Sequence, residues 1–192
     1  MTCRVGLLWD TPLVFSRLIE DCGASCETVT PHMLATPFWR GSFAALIVPT
    51  GFANPAYSKL LPALRASSDR IERFVERGGR MLVFGAASPH QDTYDWLPFP
   101  VTYLHSYGPR AVRFTADSPY NTLLSGYDLD AVECDGTFPS HGGKTLAATP
   151  AGETVLIMKE TGDGVILVTS VHEYPSREFL ANFSRADRET LF

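Results

Sequence analysis

Positive charge is scarce and nowhere forms a run: 16 Lys and Arg stand against 21 Asp and Glu, a formal net charge of −5. A surface that grips a nucleic-acid backbone needs clustered Lys and Arg, so nucleic acid is not an expected partner. Long apolar runs are missing too. No stretch approaches the roughly 18 apolar residues of a membrane helix. The opening Met1-Thr2-Cys3-Arg4-Val5 lacks the charged region and apolar stretch of a signal peptide. The expectation is a cytoplasmic chain that does not enter a membrane. Cysteine is limited to Cys3, Cys22, Cys26 and Cys134, which in a reducing compartment read as small core residues rather than disulfide staples. Cys22-x3-Cys26 with His32 beyond lacks a second pair at ligand spacing. No metal and no cofactor is therefore expected. Repeats, low-complexity tracts and linkers are absent as well, which leaves residues 1–192 as one domain.

What is present is apolar substance in a regular order. Hydrophobic residues make up 45% of the chain, enough for a sizeable core. Cys3 to Trp9 reads as a buried strand. Asp10-Thr11-Pro12 reads as a helix start, with Thr11 as cap and Pro12 in the first turn. Cys26 to Thr30 and Phe43 to Val48 read as strands, Pro55 to Ala66 as a helix with a break at Pro62, and Asp69 to Arg77 as a helix capped by Asp69 and Glu72. Gly78-Gly79 stops it, and Arg80 to Phe84 is a fourth strand. Strands alternating with helices imply crossovers and a parallel sheet. The second half differs. Pro89 to Pro109 reads as loop. Strands follow at Ala111–Thr115, Ala131–Asp135, Lys144–Ala148, Thr154–Lys159 and Val165–Ser170, the last three as a meander. Pro175 opens a final helix. The fold class is α/β: a flavodoxin-like three-layer sandwich whose mainly parallel sheet gains antiparallel strands in the C-terminal half.

Ligands of open parallel sheets bind outside the carboxyl ends of the strands. That rule selects Asp10, then Thr50, Gly51 and Phe52, then Gly85 to Ser88, then Asp135 and His172-Glu173. The turn after the fourth strand is the most informative. A tight small-residue turn of this kind is an elbow whose tip normally exposes a nucleophile activated by a histidine. Here the turn Gly85-Ala86-Ala87-Ser88 reads as such an elbow without a nucleophile.

In Ile47-Val48-Pro49-Thr50-Gly51, Gly78-Gly79, Gly85-Ala86-Ala87-Ser88-Pro89 and Val168-Thr169-Ser170-Val171-His172-Glu173-Tyr174, with Asn182-Phe183 in the last helix, the chain resembles the class I glutamine-amidotransferase-like superfamily. The likeness runs through almost the whole sequence in order. It implies a degenerate triad: Ala87 stands where the cysteine would be and Tyr174 where the glutamate would be, so that only His172 survives and glutamine hydrolysis is not expected. Ser118-Pro119-Tyr120-Asn121-Thr122 and Glu133-Cys134-Asp135-Gly136 bring it nearest to the ThuA-like and biotin-protein-ligase N-terminal-like branches. Their link to sugar metabolism is an implication of that resemblance alone.

Three functions follow as expectations. The first is a non-catalytic domain that binds a small polar metabolite, a sugar or a carboxylate, through Asp10, Thr50, Gly51, Phe52, Ala86, Ala87, Ser88 and Asp135. The second is a hydrolase or sugar-modifying enzyme using His172 with Glu173 or Asp10. The third is a protein-interaction module; self-association into a homo-oligomer suits the fold. Ser88 with His90, and Cys134 with His172, are weighed as displaced nucleophile pairs and set below a capping serine and an inert buried thiol. A metal held by Asp10, His90, His172 and Glu173 lacks any enforcing spacing. Phe52 and Trp96 are favoured as pocket residues, Trp9 as core, and His105 and His141 as exposed.

Overall fold

The computed structural model describes residues 2–192. Its strands are β1 (Arg4–Leu8), β2 (Ser25–Val29), β3 (Ser42–Phe43), β4 (Ala45–Val48), β5 (Arg80–Val83), β6 (Val101–Arg110), β7 (Arg113–Phe114), β8 (Val132–His141), β9 (Lys144–Ala148), β10 (Thr154–Thr161), β11 (Gly164–Thr169) and β12 (Thr190–Leu191). The helices are α1 (Val14–Asp21), α2 (Pro31–Ala35), α3 (Leu60–Ala66), α4 (Ser68–Glu76) and α5 (Arg177–Phe183), with a 3-10 helix at Pro119–Leu124.

The main sheet runs β2-β1-β4-β5-β11-β10-β8-β6, with β9 pairing β10 and β7 pairing β9. Its first five strands are parallel, and β10, β9, β8, β7 and β6 join antiparallel. The α/β reading with late antiparallel strands therefore holds. Alternate side chains of each strand enter opposite layers, as the two-residue period requires. Leu46 and Val48 of β4 pack with α3 and α4 on one face, whereas Ala45 and Ile47 pack with α1 and α5 on the other.

Several boundaries differ from the sequence reading, each for a local reason. Helix α1 starts at Val14 with Leu13, not Thr11, in the N-cap position and no side-chain cap, and the Asp10 carboxylate is engaged elsewhere: it accepts from Ser58 Oγ and the Lys59 backbone N–H. Residues 55–59 are turns rather than helix, and Pro62 falls in the first turn of α3. Proline is tolerated there because that N–H has no intrahelical partner, so the helix is unbroken. Helix α4 has no side-chain cap from Asp69 or Glu72. The largest correction is β6. A ten-residue strand occupies much of the stretch that reads as loop. It lies at the edge of the sheet, where proline removes no needed ladder bond, and Pro109 pairs opposite Glu133.

Candidate functional site

Strand β1 has β2 on one side and β4 on the other, so the carboxyl ends of β1 and β4 flank a switch in strand order, where a crevice forms. A cavity of about 870 Å³ opens there. Trp9 comes from the end of β1, Thr50 and Gly51 from the end of β4, Phe84 and Ala87 from the end of β5, and His172 to Tyr174 from beyond β11. Strand β6 adds His105 and Tyr107, and β8 adds Asp135.

Ala87 is the one non-glycine described residue with positive φ, +47°. The left-handed region costs an L-residue roughly 1–2 kcal/mol, so neighbours must hold the turn. They do so through the backbone: Gly51 N–H donates to Gly85 O at 2.8 Å, and Ala53 N–H to Ala86 O at 3.3 Å. The elbow thus exists as a conformation. No helix follows it, because Pro89 and the turns to Trp96 intervene. Ser88 is buried and its Oγ accepts from His90 N–H at 3.3 Å, the capping role.

Beyond β11 the chain leaves β10 and pairs with β8. Val171 forms an antiparallel bridge with Cys134, Asp135 N–H donates to Ser170 O at 2.6 Å, and His172 N–H donates to Glu133 O at 2.9 Å. This short splice sets His172 Nδ1 at 2.8 Å from Asp135 Oδ1, with the imidazole 47% exposed and the carboxylate 3% exposed. An ionised carboxylate only accepts, so Nδ1 carries the hydrogen and Nε2 remains for the cavity. The other oxygen, Oδ2, is buried with no hydrogen-bond partner and points toward Gly85, whose missing Cβ would lie 2.4 Å from it.

Asp135 is thus the acid that orients His172, in place of the Glu173 or Asp10 expected beside it. Glu173 lines the cavity, but Asp10 does not and serves the turn before α3. Phe52 and Trp96 are core residues packed edge-on, 5.9 Å between centroids, while Trp9 borders the cavity. Ala86 is fully buried. Burial pushes the Cys134 thiol up to about 12, so it remains protonated and inert near neutrality. Among the described residues, no group of three or more His, Cys, Asp or Glu is arranged to hold a metal ion.

His105 is exposed, as expected, yet it belongs to the site. Its Nδ1 lies 3.1 Å from Tyr103 Oη, and that hydroxyl donates to Asp135 O at 3.0 Å. With its only proton so placed, the tyrosine oxygen accepts from His105 Nδ1–H. Both imidazoles are therefore anchored on Asp135, one directly and one through Tyr103.

Burial raises the pKa of Asp135, opposed by the charge and hydrogen bond of His172 and, less strongly, by His105 and Thr50. A carboxyl that holds its proton more tightly folded than unfolded costs stability as pH rises from its unfolded value, about 3.9, through the raised folded value. Asn cannot ionise. The stability of Asp135→Asn relative to the parent should accordingly climb with pH through that window and then level. Denaturant unfolding at a series of pH values reads this directly, and parallel curves for the two proteins would contradict it.

No family model and no curated protein matches the chain. Solved structures do. A putative GMP synthase subunit from Thermoplasma acidophilum matches with a TM-score of 0.65 at 12% identity, over 95% of this chain and 92% of that one. The cytoplasmic protein STM3548 of Salmonella typhimurium gives 0.54 at 10% identity, over 98% and 99%. A β-galactosidase from Rahnella sp. R3 gives 0.53 at 14%, over 95% of this chain but 30% of the enzyme. At such identities the likeness is one of architecture alone, a mainly parallel α/β sheet with added antiparallel strands.

Proposed function

We propose that this chain is a degenerate amidotransferase-like domain, of the ThuA-like or biotin-protein-ligase N-terminal-like kind, that binds a small uncharged sugar in the cavity at the strand ends. The observation that carries this reading is the make-up of the wall. Trp9, Phe15, Tyr57, Tyr107, Tyr127 and Tyr174 supply flat apolar faces. Thr50, Asn54, His105, Asp135, His172 and Glu173 supply hydrogen-bonding groups. That combination suits a ring with apolar faces and a polar rim. Among the described residues neither Lys nor Arg lines the cavity, whereas two carboxylates do. An anionic ligand would meet like charge and find no lysine or arginine counter-ion, which favours the sugar over the carboxylate. Ala87 offers no group for a covalent intermediate, so ligand retention is non-covalent.

The test is a titration of the protein with neutral sugars and with the matching sugar acids, followed by calorimetry or NMR. Neutral sugars should bind and the acids should bind at least about tenfold more weakly, the factor that corresponds to roughly 1.4 kcal/mol of charge repulsion. Tyr57 is 65% exposed, so Tyr57→Ala tests the wall without disturbing the core. It should weaken binding about three- to tenfold, the worth of one aromatic face. Equal or tighter binding of the acids would overturn the assignment.

A further inference from the structure

We propose that the two imidazoles anchored on Asp135, those of His172 and His105, form an acid–base pair that interconverts the anomers of a bound sugar. This rests on the sugar reading above. Its basis is the pairing of each Nδ1 with the protein, at 2.8 Å to Asp135 Oδ1 for His172 and at 3.1 Å to Tyr103 Oη for His105. Each ring is thereby left with Nε2 as its free proton-transfer atom on the same cavity. A binding site alone has no need of two histidines whose Nδ1 atoms are both fixed by protein partners, His172 by the Asp135 carboxylate and His105 by the Tyr103 hydroxyl.

The chemistry must do without a nucleophile, because the elbow ends in Ala87. Anomer exchange needs none. One imidazole, neutral, takes the proton of the C1 hydroxyl through Nε2. The O–H electron pair becomes the C1 carbonyl bond, the bond from C1 to the ring oxygen breaks, and the ring oxygen takes a proton from Nε2 of the other, protonated imidazole. The open-chain aldehyde turns about C1–C2. The hydroxyl then attacks the opposite carbonyl face, and both protons return along the reverse path. Nothing is oxidised or reduced, no water is consumed, and the pair ends in its starting protonation state. Asp135 acts as a positioning residue, holding one ring by its side chain and the other through its carbonyl and Tyr103.

The experiment is exchange NMR between α and β anomers of D-glucose, D-galactose, D-mannose, D-xylose, D-ribose and L-fucose, with and without catalytic amounts of the full chain. At least one sugar that binds should exchange about a hundredfold or more faster than in buffer, the order expected of general acid–base catalysis. His172→Gln and His105→Gln should each remove most of that acceleration while the sugar still titrates. Asp135→Asn should lower kcat with KM within about twofold, a split that simple loss of folded protein would not produce. A sugar that binds but exchanges no faster than in buffer overturns the proton-transfer role and leaves the binding reading standing. If no sugar of the set binds, both fall. Acceleration that survives in either glutamine variant overturns the assignment to these residues.

Discussion

Gly85→Ala is expected to destabilise the protein by about 1–3 kcal/mol, the usual cost of forcing a methyl group into packed space, and to remove most of the acceleration of anomer exchange. A Cβ at this position would lie 2.4 Å from Asp135 Oδ2, 2.6 Å from its Cβ and 2.9 Å from its Cγ. Asp135 cannot withdraw, because its backbone is bonded to Ser170 on one side and its carbonyl receives Tyr103 Oη on the other. The side chain must therefore turn away from His172, and the imidazole loses its anchor. For a chain of this length the thermal midpoint should fall by about 2–4 °C per kcal/mol. Adding Asp135→Gly removes the atoms that the new methyl meets, so the double variant should regain most of the stability and none of the exchange activity. A Gly85→Ala protein that melts and exchanges anomers like the parent would refute this account of why the turn begins with glycine.

Ala87→Cys is expected to create a reactive thiol. The tip is held at φ +47° by its neighbours rather than by its own side chain, and it lines the same cavity as His172. A cysteine beside an imidazole in such a site loses its proton readily. At pH 7 an ordinary cysteine is only a few per cent thiolate, so a thiol that titrates at or below neutrality should react with iodoacetamide about tenfold faster. The native background is favourable. Burial raises Cys26 and Cys134 to about 12 each and also raises Cys22. Adding His172→Gln should return the new thiol to an ordinary rate. Labelling no faster than that of the native cysteines would show that position 87 is not an elbow tip facing the histidine.

These two positions sit in the part of the chain where local sequence carries most of the structural information. A Gly-Gly stop, a continuous apolar run and a cluster of small residues describe β5 and its turn from one stretch of chain, and the turn is where that pattern puts it. The parallel half is legible for the same reason: β1, β4 and β5 are each short apolar runs closed by turn residues, and their order as crossovers follows from the intervening helices. The meander of β9, β10 and β11 is legible from its Gly-containing turns.

The site's working partners are not legible, because they are set by pairing between distant segments. His172 and Glu173 are adjacent in sequence, yet the acid that holds His172 lies 37 residues away on β8. It arrives there through the splice of Val171 to Cys134, which no local pattern announces. His105 reads as an exposed loop residue because Pro100, Gly108 and Pro109 break the strand pattern, and only the edge position of β6 makes that sequence a strand. Phe52 and Trp96 move from pocket to core for a related reason, while Trp9, read as core, packs in the core and also borders the cavity. Phe52 and Trp96 follow strands and resemble a pocket wall, but they turn inward onto each other, with Phe52 also against Tyr94, whereas Trp9 ends β1 at the lip of the crevice.

Contiguous residues are enough to establish the α/β order and the strand-end segments that surround the crevice. Each of these is written in a two- or 3.6-residue period or in a fixed turn chemistry. Three features needed the folded chain: Asp135 rather than Glu173 or Asp10 orients His172, His105 shares that anchor, and Asp10 serves a turn. Those contacts depend on strand order and register across the sheet, which link residues that no local spacing connects.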